Sequence, residues 1–344
     1  MKILRKIAIG FTIFVALIVL FGAGMMVATR GEYAVPSTVE NDPTLPQIEI
    51  DGVRFHAESF GDPADPTVIV VHGGPGGDFG YLLNLHVLED AYHVVFYDQQ
   101  GAGLSPRIPA ESLTLQSSVD DLHRIVTHFG DGEPVRIIGH SWGAMLTAAY
   151  VGQHPDSVSH AVLAEPGALD NARLEEFLQR QTGSQDLGYY RKLVSTIFET
   201  LHIDLPDEHA QQDYIYGKMT AFFVDSDASG YRCADESVMA VQPEALVPAS
   251  RFGATAYQTL FGATADLSPI AKYADNFNGD VLFLAGECSD FIGASLQQQQ
   301  MRTFPQATLE VVPDAGHEMF SENPNASIEI VREFFDDAVK TSSR

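Results

Sequence analysis

The chain is 344 residues long and 45% hydrophobic, enough for one large domain with an insertion or for two modest ones. Twenty basic residues against 46 acidic ones give a formal charge of −26. A surface this acidic repels nucleic-acid and anionic-lipid phosphates, so nucleic acid is excluded as a partner, and the acidity is read as serving solubility.

Lys2, Arg5 and Lys6 precede an uncharged run from Ile7 to Ala28, 22 residues long. About 20 residues of helix cross a bilayer, whereas a secretory signal carries an apolar stretch of only about 7–15. The expectation is an uncleaved transmembrane signal-anchor over residues 1–28, with the N-terminus in the cytoplasm and the rest on the outer side of the cytoplasmic membrane. Secretion after cleavage near Gly22-Ala23-Gly24 is the alternative.

Residues 29–47 hold three prolines and little apolar periodicity, and read as a linker. Ile48–Ile50 and Val53–Glu58 flank Asp51-Gly52, a hairpin signal. Thr67–Val71, Tyr92–Tyr97, Val135–Ile138 and Ala161–Ala164 read as strands buried on both faces. Helical stretches at 80–89, 115–129 and 142–152 alternate with them. Strand alternating with helix predicts a mostly parallel central sheet with helices on both faces. From residue 166 to 270 the pattern turns helical, over Arg173–Gln181, Tyr189–Leu201 and His209–Phe223. Strands resume at Val281–Ala285 and Thr308–Val312, and a helix over Ala326–Val339 ends the chain. The expected organisation is one core, residues 48–165 and 271–344, interrupted by a helical cap over 166–270. The glutamines at 297–300 read as a helix surface.

Gly139-His140-Ser141-Trp142-Gly143 fits G-x-S-x-G between a predicted strand and a predicted helix, the setting in which that pattern carries a nucleophile. In α/β-hydrolases, which it resembles, the chain order is serine, then acid, then histidine. His317 follows the last strand, and Asp290 follows the one before it, 27 residues earlier. Glu287 competes with Asp290 on the same loop, and Asp314 reads as a cap of the turn before His317. Each candidate falls at a strand's carboxyl end, where open α/β sheets place their sites. Val71 leads into His72-Gly73-Gly74-Pro75-Gly76-Gly77. The oxyanion donors expected are the N–H groups of Gly74 and Trp142, with Gly73 second choice. No metal or organic cofactor is required by this chemistry.

Asp98-Gln99-Gln100-Gly101-Ala102-Gly103-Leu104-Ser105 is similar to the D-Q-R-G-x-G-x-S segment of α/β-hydrolases. With the His-Gly-Gly-Pro-Gly run and G-H-S-W-G, the core resembles the proline iminopeptidase family over about 48–165 and 280–320. That resemblance implies an α/β-hydrolase fold, a triad of Ser141, Asp290 and His317, and removal of an N-terminal residue from a short peptide. Esterase or lactonase action on a small molecule is the alternative. Two departures stand out: Gln100 replaces an arginine that normally braces its loop, and His140 replaces a glycine. Peptidases of this family bind the substrate amine through carboxylates, and the candidates here are Glu165, Asp235 and Glu236. Cys233 falls in the cap and Cys288 beside Asp290, so a disulfide between them would tie lid to catalytic loop; two free thiols are the alternative.

Overall fold

The computed structural model describes residues 2–226, 229–233 and 250–342. An N-terminal helix, α1 (Lys2–Ala28), leads to a hairpin of β1 (Gln47–Ile50) and β2 (Val53–Phe60). Asp51 and Gly52 both take positive φ, 51° and 79°, and pair Ile50 with Val53, as a two-residue D-G turn requires. Next come β3 (Thr67–Val71), β4 (His93–Tyr97), α2 (Leu115–Gly130), β5 (Val135–His140), α3 (Trp142–Gln153) and β6 (Val158–Ala164). Among the described residues four α-helices lie between β6 and the next strand: α4 (Asn171–Gly183), α5 (Leu187–Glu199), α6 (Ala210–Val224) and α7 (Ala254–Phe261). The core resumes with β7 (Asp280–Gly286), α8 (Ala294–Gln300), β8 (Ala307–Val312), α9 (Met319–Glu322) and α10 (Pro324–Ser342).

The eight strands run in the order β1-β2-β4-β3-β5-β6-β7-β8. All neighbours from β4 through β8 are parallel, while β2 runs antiparallel to both β1 and β4. Alternate strand residues feed two apolar layers, as the two-residue side-chain period demands. Ile69, Val95, Ile137, Leu163 and Phe283 pack on one face with α2 and α3. Val68, Val94, Ile138, Val162 and Leu282 pack on the other with Leu82, Phe320 and Phe335. The amphipathic α2 buries Val119, Leu122, Ile125 and Val126, and Thr114 caps its first turn through Ser117. In contrast α3 is buried from Trp142 to Gly152, so it runs through the interior and carries no charge.

The helical stretch expected at 80–89 is a 3-10 helix over residues 80–90. Two expectations change. The glutamines of α8 are not all at a surface: Gln297 and Gln300 are buried and both donate to the Pro166 carbonyl, and Gln300 also accepts from Leu169 N–H. The linker is docked, since Thr38 and Val39 are buried and Val39 N–H donates to Leu104 O at 2.8 Å. An ion cluster holds it there. Arg251 spans both oxygens of Asp207 at 2.7 Å, donates to Asp213 at 2.9 Å and also donates to the Pro36 carbonyl. Arg107 reaches the same Asp213 oxygen from the core at 3.0 Å. Buried charges persist only where they are paired and hydrogen-bonded, and this cluster joins core, cap and linker.

Candidate active site

Ser141 stands between β5 and α3 with φ 55° and ψ −119°. That region costs a non-glycine residue roughly 1–3 kcal/mol and needs firm support. The support is steric fit: a Cβ on Gly139 would sit 2.5 Å from Gly143 O and from Thr147 Oγ1, and one on Gly143 would overlap Val71 O. Only glycine lets the strand turn this sharply against its neighbours. Ser141 N–H donates to Ala164 O at 2.9 Å, which fixes the elbow beside the end of β6.

The carboxylate that meets His317 is Glu165, directly after β6. Its Oε2 accepts from His317 Nδ1 at 2.7 Å, and its Oε1 accepts from Gly286 N–H at 2.8 Å. Glu165 is fully buried and itself holds a positive φ of 42°. Burial pushes its carboxyl up to about 8, against the lowering by the Gly286 N–H, and burial lowers His317. A neutral imidazole with its Nδ1 proton on Glu165 leaves Nε2 as an acceptor, the form a general base needs.

The expectation for Asp290 is therefore corrected. It is exposed, and its backbone N–H donates to Gly230 O. Glu287 instead receives Asp314 N–H and shapes the turn before His317. The end of β7 contributes the Gly286 N–H, not a carboxylate, to this pair. Glu165 was expected to bind a substrate amine, but both of its oxygens are already engaged. Asp235 and Glu236 lie outside the described residues.

His140 links the two sides of the site. Its ring is buried and stays neutral well below its ordinary range, through burial and then the nearby His317. Its Nε2 lies 2.8 Å from His317 O, a pure acceptor, so the proton is on Nε2. Its Nδ1 then accepts from the Tyr81 hydroxyl at 2.7 Å, and that oxygen accepts from Gly73 N–H at 2.7 Å. Gly73 is thus committed to Tyr81 and is not an oxyanion donor. The N–H groups of Gly74, at φ +47°, and of Trp142, first in α3, donate to no group among the described residues. Both residues line the cavity that holds Ser141 and His317. No hydrogen bond joins Ser141 to His317 among the described residues, and such contacts often tighten only with substrate bound.

The 98–105 segment frames this cavity from behind. Asp98 is buried, paired with His56 at 2.7 Å, and accepts from Phe79 and Leu104 N–H. Gln99 accepts from the Trp142 indole at 3.0 Å and donates to His72 O. Bracing of the loop does not depend on residue 100: Arg107 donates to Gly103 O and Ser105 O.

Over Ser141 the lining is mainly apolar: Met145, Phe177, Phe223, Val224, Tyr257 and Phe261, with Gln181 and Thr220. Glu318 is the one carboxylate in it among the described residues, and burial followed by the charge of Glu322 raises it to about 7. Sequence reasoning missed Tyr231, whose ring lies 4.4 Å from that of His317 and whose carbonyl accepts His317 N–H at 2.6 Å. Two residues on, Cys233 is bonded to Cys288, so the segment over His317 is tied to the loop after β7.

A proline iminopeptidase of Xylella fastidiosa is 33% identical over 132 residues, 38% of this chain and 41% of that protein. The chain spans about two fifths of the length of the proline iminopeptidases it matches. Among solved structures, the proline iminopeptidase of Mycobacterium smegmatis superposes with a TM-score of 0.58 at 20% identity, covering 86% of this chain and 99% of that one. Est816, described as an N-acyl homoserine lactone degrading enzyme, superposes with a TM-score of 0.58 at 17% identity, covering 84% and 100%. At such identities these structures share the fold alone. Residues 66–324 match the family described as alpha/beta hydrolase fold, and the chain belongs to that family.

Proposed function

We propose that this protein is a serine hydrolase that cleaves esters with an apolar acyl group. The observation that carries the reading is the 2.7 Å bond from His317 Nδ1 to a fully buried Glu165, beside a serine held at positive φ. Ser141 Oγ attacks the carbonyl carbon while its proton passes to His317 Nε2. Glu165 holds the imidazole tautomer and offsets the imidazolium charge. The N–H groups of Gly74 and Trp142 stabilise the oxyanion. The alcohol leaves with the proton from His317, and water, deprotonated by the same histidine, releases the acid and restores Ser141.

The apolar lining favours an acyl ester over a charged peptide terminus. A second reading, an aminopeptidase, is supported by the proline iminopeptidase relatives and by Glu318, a carboxylate beside His317 that an α-amine would ionise. Rates on p-nitrophenyl butyrate and on Pro-β-naphthylamide separate the two. The ester is expected to turn over and the arylamide not; the reverse result removes the esterase reading. Failure of a fluorophosphonate to label Ser141 removes both.

We also propose that the chain is anchored in a membrane by its first helix. Ile3–Ala28 is long and apolar enough to cross a bilayer, and its window is not buried in the protein. Lys2, Arg5 and Lys6 before it support an anchor with the hydrolase on the outer side, against a signal sequence that is removed.

A further inference from the structure

Large apolar side chains are exposed in one part of the folded body. Outside α1, the exposed ones among the described residues are nine, and six of them fall between positions 187 and 222. Leu187, Tyr190 and Ile197 on α5 and Leu201 just past it are 75%, 51%, 43% and 56% exposed. Their spacings of 3, 7 and 4 keep them on one side of a helix. A helix at a protein–water boundary does not gain from such a stripe, which marks an interaction surface.

What lies beside this stripe identifies its partner. The C-terminal third of α1 packs on α5: Phe21 meets Phe198 edge to face at 6.3 Å, and Thr29 Oγ1 lies 3.3 Å from His202 Nε2. Gly22, Met25 and Met26 are partly covered and Thr29 is buried, one face of α1 turned to the cap. Phe21 lies seven residues before the end of α1, about 10 Å along the helix. An apolar helix lying in a bilayer surface sinks about 5–10 Å, the same depth. Charge agrees. In a chain of net −26, α5 carries Arg191, Lys192 and Glu199, and Glu199 is buried against Tyr214 and Ser195. Within the helix the charge left facing out is therefore positive, the exposed Asp186 lying at its N-cap and bonded to Tyr189 N–H, and it stands beside Tyr189 and Tyr190, residues suited to a headgroup layer.

We propose that the exposed face of α5, with Leu201, is seated in the outer surface of the lipid bilayer, so that the cap and not the linker sets how the hydrolase stands on the membrane. This rests on reading α1 as a membrane anchor. It also places the cap, whose α4 and α6 line the cavity over Ser141, against lipid, where amphiphilic esters concentrate.

Tryptophan scanning tests it on the full chain in phosphatidylcholine vesicles with brominated acyl chains, which quench only nearby indoles. The native Trp142 is buried and common to all variants, so it is subtracted. Tyr190→Trp and Leu201→Trp are each expected to be quenched at least twofold more than Glu133→Trp, an exposed site at the opposite end of the sheet. Phe14→Trp, in the middle of α1, reports the anchor itself. If Phe14→Trp is quenched while the two α5 variants match Glu133→Trp, the docking is overturned and the anchor stands. If Phe14→Trp is not quenched either, the anchor fails and the docking with it. Two positions on α5 keep the result readable when one substitution misfolds.

Discussion

The ends of β6 and β7 lie side by side in the sheet, and each is followed at once by acidic residues: Glu165 after one, Glu287 and Asp290 after the other. They do different work. At the end of β6 the carboxylate is buried, holds a strained backbone and grips His317. At the end of β7 the acids are exposed, and the loop is held by Cys288, by Asp314 N–H on Glu287 and by the Asp290 N–H on Gly230. A sheet can thus divide chemistry and fastening between neighbouring strand ends. The largest expected effect breaks that division directly. Glu165→Gln removes the charge and the tautomer control, and is expected to lower kcat/KM on p-nitrophenyl butyrate by about 10³–10⁴-fold. Asp290→Asn is expected to stay within about twofold. Equal losses in the two variants would undo the assignment of the acid to β6.

Why the sequence pointed to β7 is a physical matter. Chain order names a strand end for the acid, but which of two adjacent ends reaches His317 depends on loop paths that no spacing encodes. A signal was present: Glu165 directly follows the apolar run Ala161–Ala164 and precedes Pro166, so its carboxylate enters the interior, and a buried carboxylate needs a partner. The sharp turn at Ser141 and the glycine loop after β3 were legible as backbone features because their glycines answer to close backbone approach or, at Gly74, to a positive φ, both local constraints. The sheet was legible because strands buried on both faces are written as unbroken apolar runs. Tyr81, Tyr231 and Gln297 were not, since their partners lie far along the chain. The uncharged composition of α8 was the one hint that its glutamines face inward.

The β7 side should show its fastening role in stability. A disulfide closing a 55-residue separation stabilises by about 4 kcal/mol in the chain-entropy view, and by about 2–4 kcal/mol in typical cases. The double variant Cys233→Ala/Cys288→Ala is expected to lower Tm by roughly 3–6 °C and to change kcat/KM far less than Glu165→Gln does. Calorimetry against the same ester assay checks this. An unchanged Tm with a collapsed rate would reverse the roles given to the two strand ends.

The β6 side should show its chemistry in pH. Burial raises Glu165 to about 8, above the ordinary carboxyl range, and lowers His317. In the proposed mechanism the competent pair is an ionised Glu165 with a neutral His317. As pH falls, the pair takes up a proton, and it does so at higher pH than a free carboxyl because Glu165 is raised. The pair titrates as a unit. kcat/KM is therefore expected to rise with pH toward about 8, roughly tenfold per unit below it. A profile flat from about pH 6 to about pH 9 would remove proton transfer by this pair from the rate.

The smallest effect concerns the link across the site. Tyr81 receives Gly73 N–H and donates to His140 Nδ1, while His140 Nε2 donates to the His317 carbonyl. The glycine loop after β3 and His317 are thereby linked through Tyr81 and His140. Tyr81→Phe keeps the ring and deletes the hydroxyl, leaving Gly73 N–H and His140 Nδ1 without this partner. A disturbed loop is felt mainly in the transition state, so kcat is expected to fall about tenfold with little change in KM. A loss carried by KM with kcat intact would make Tyr81 part of the substrate pocket instead. It also lines the cavity, so steady-state kinetics of this one variant separates a residue that aligns the oxyanion loop from one that only fills space.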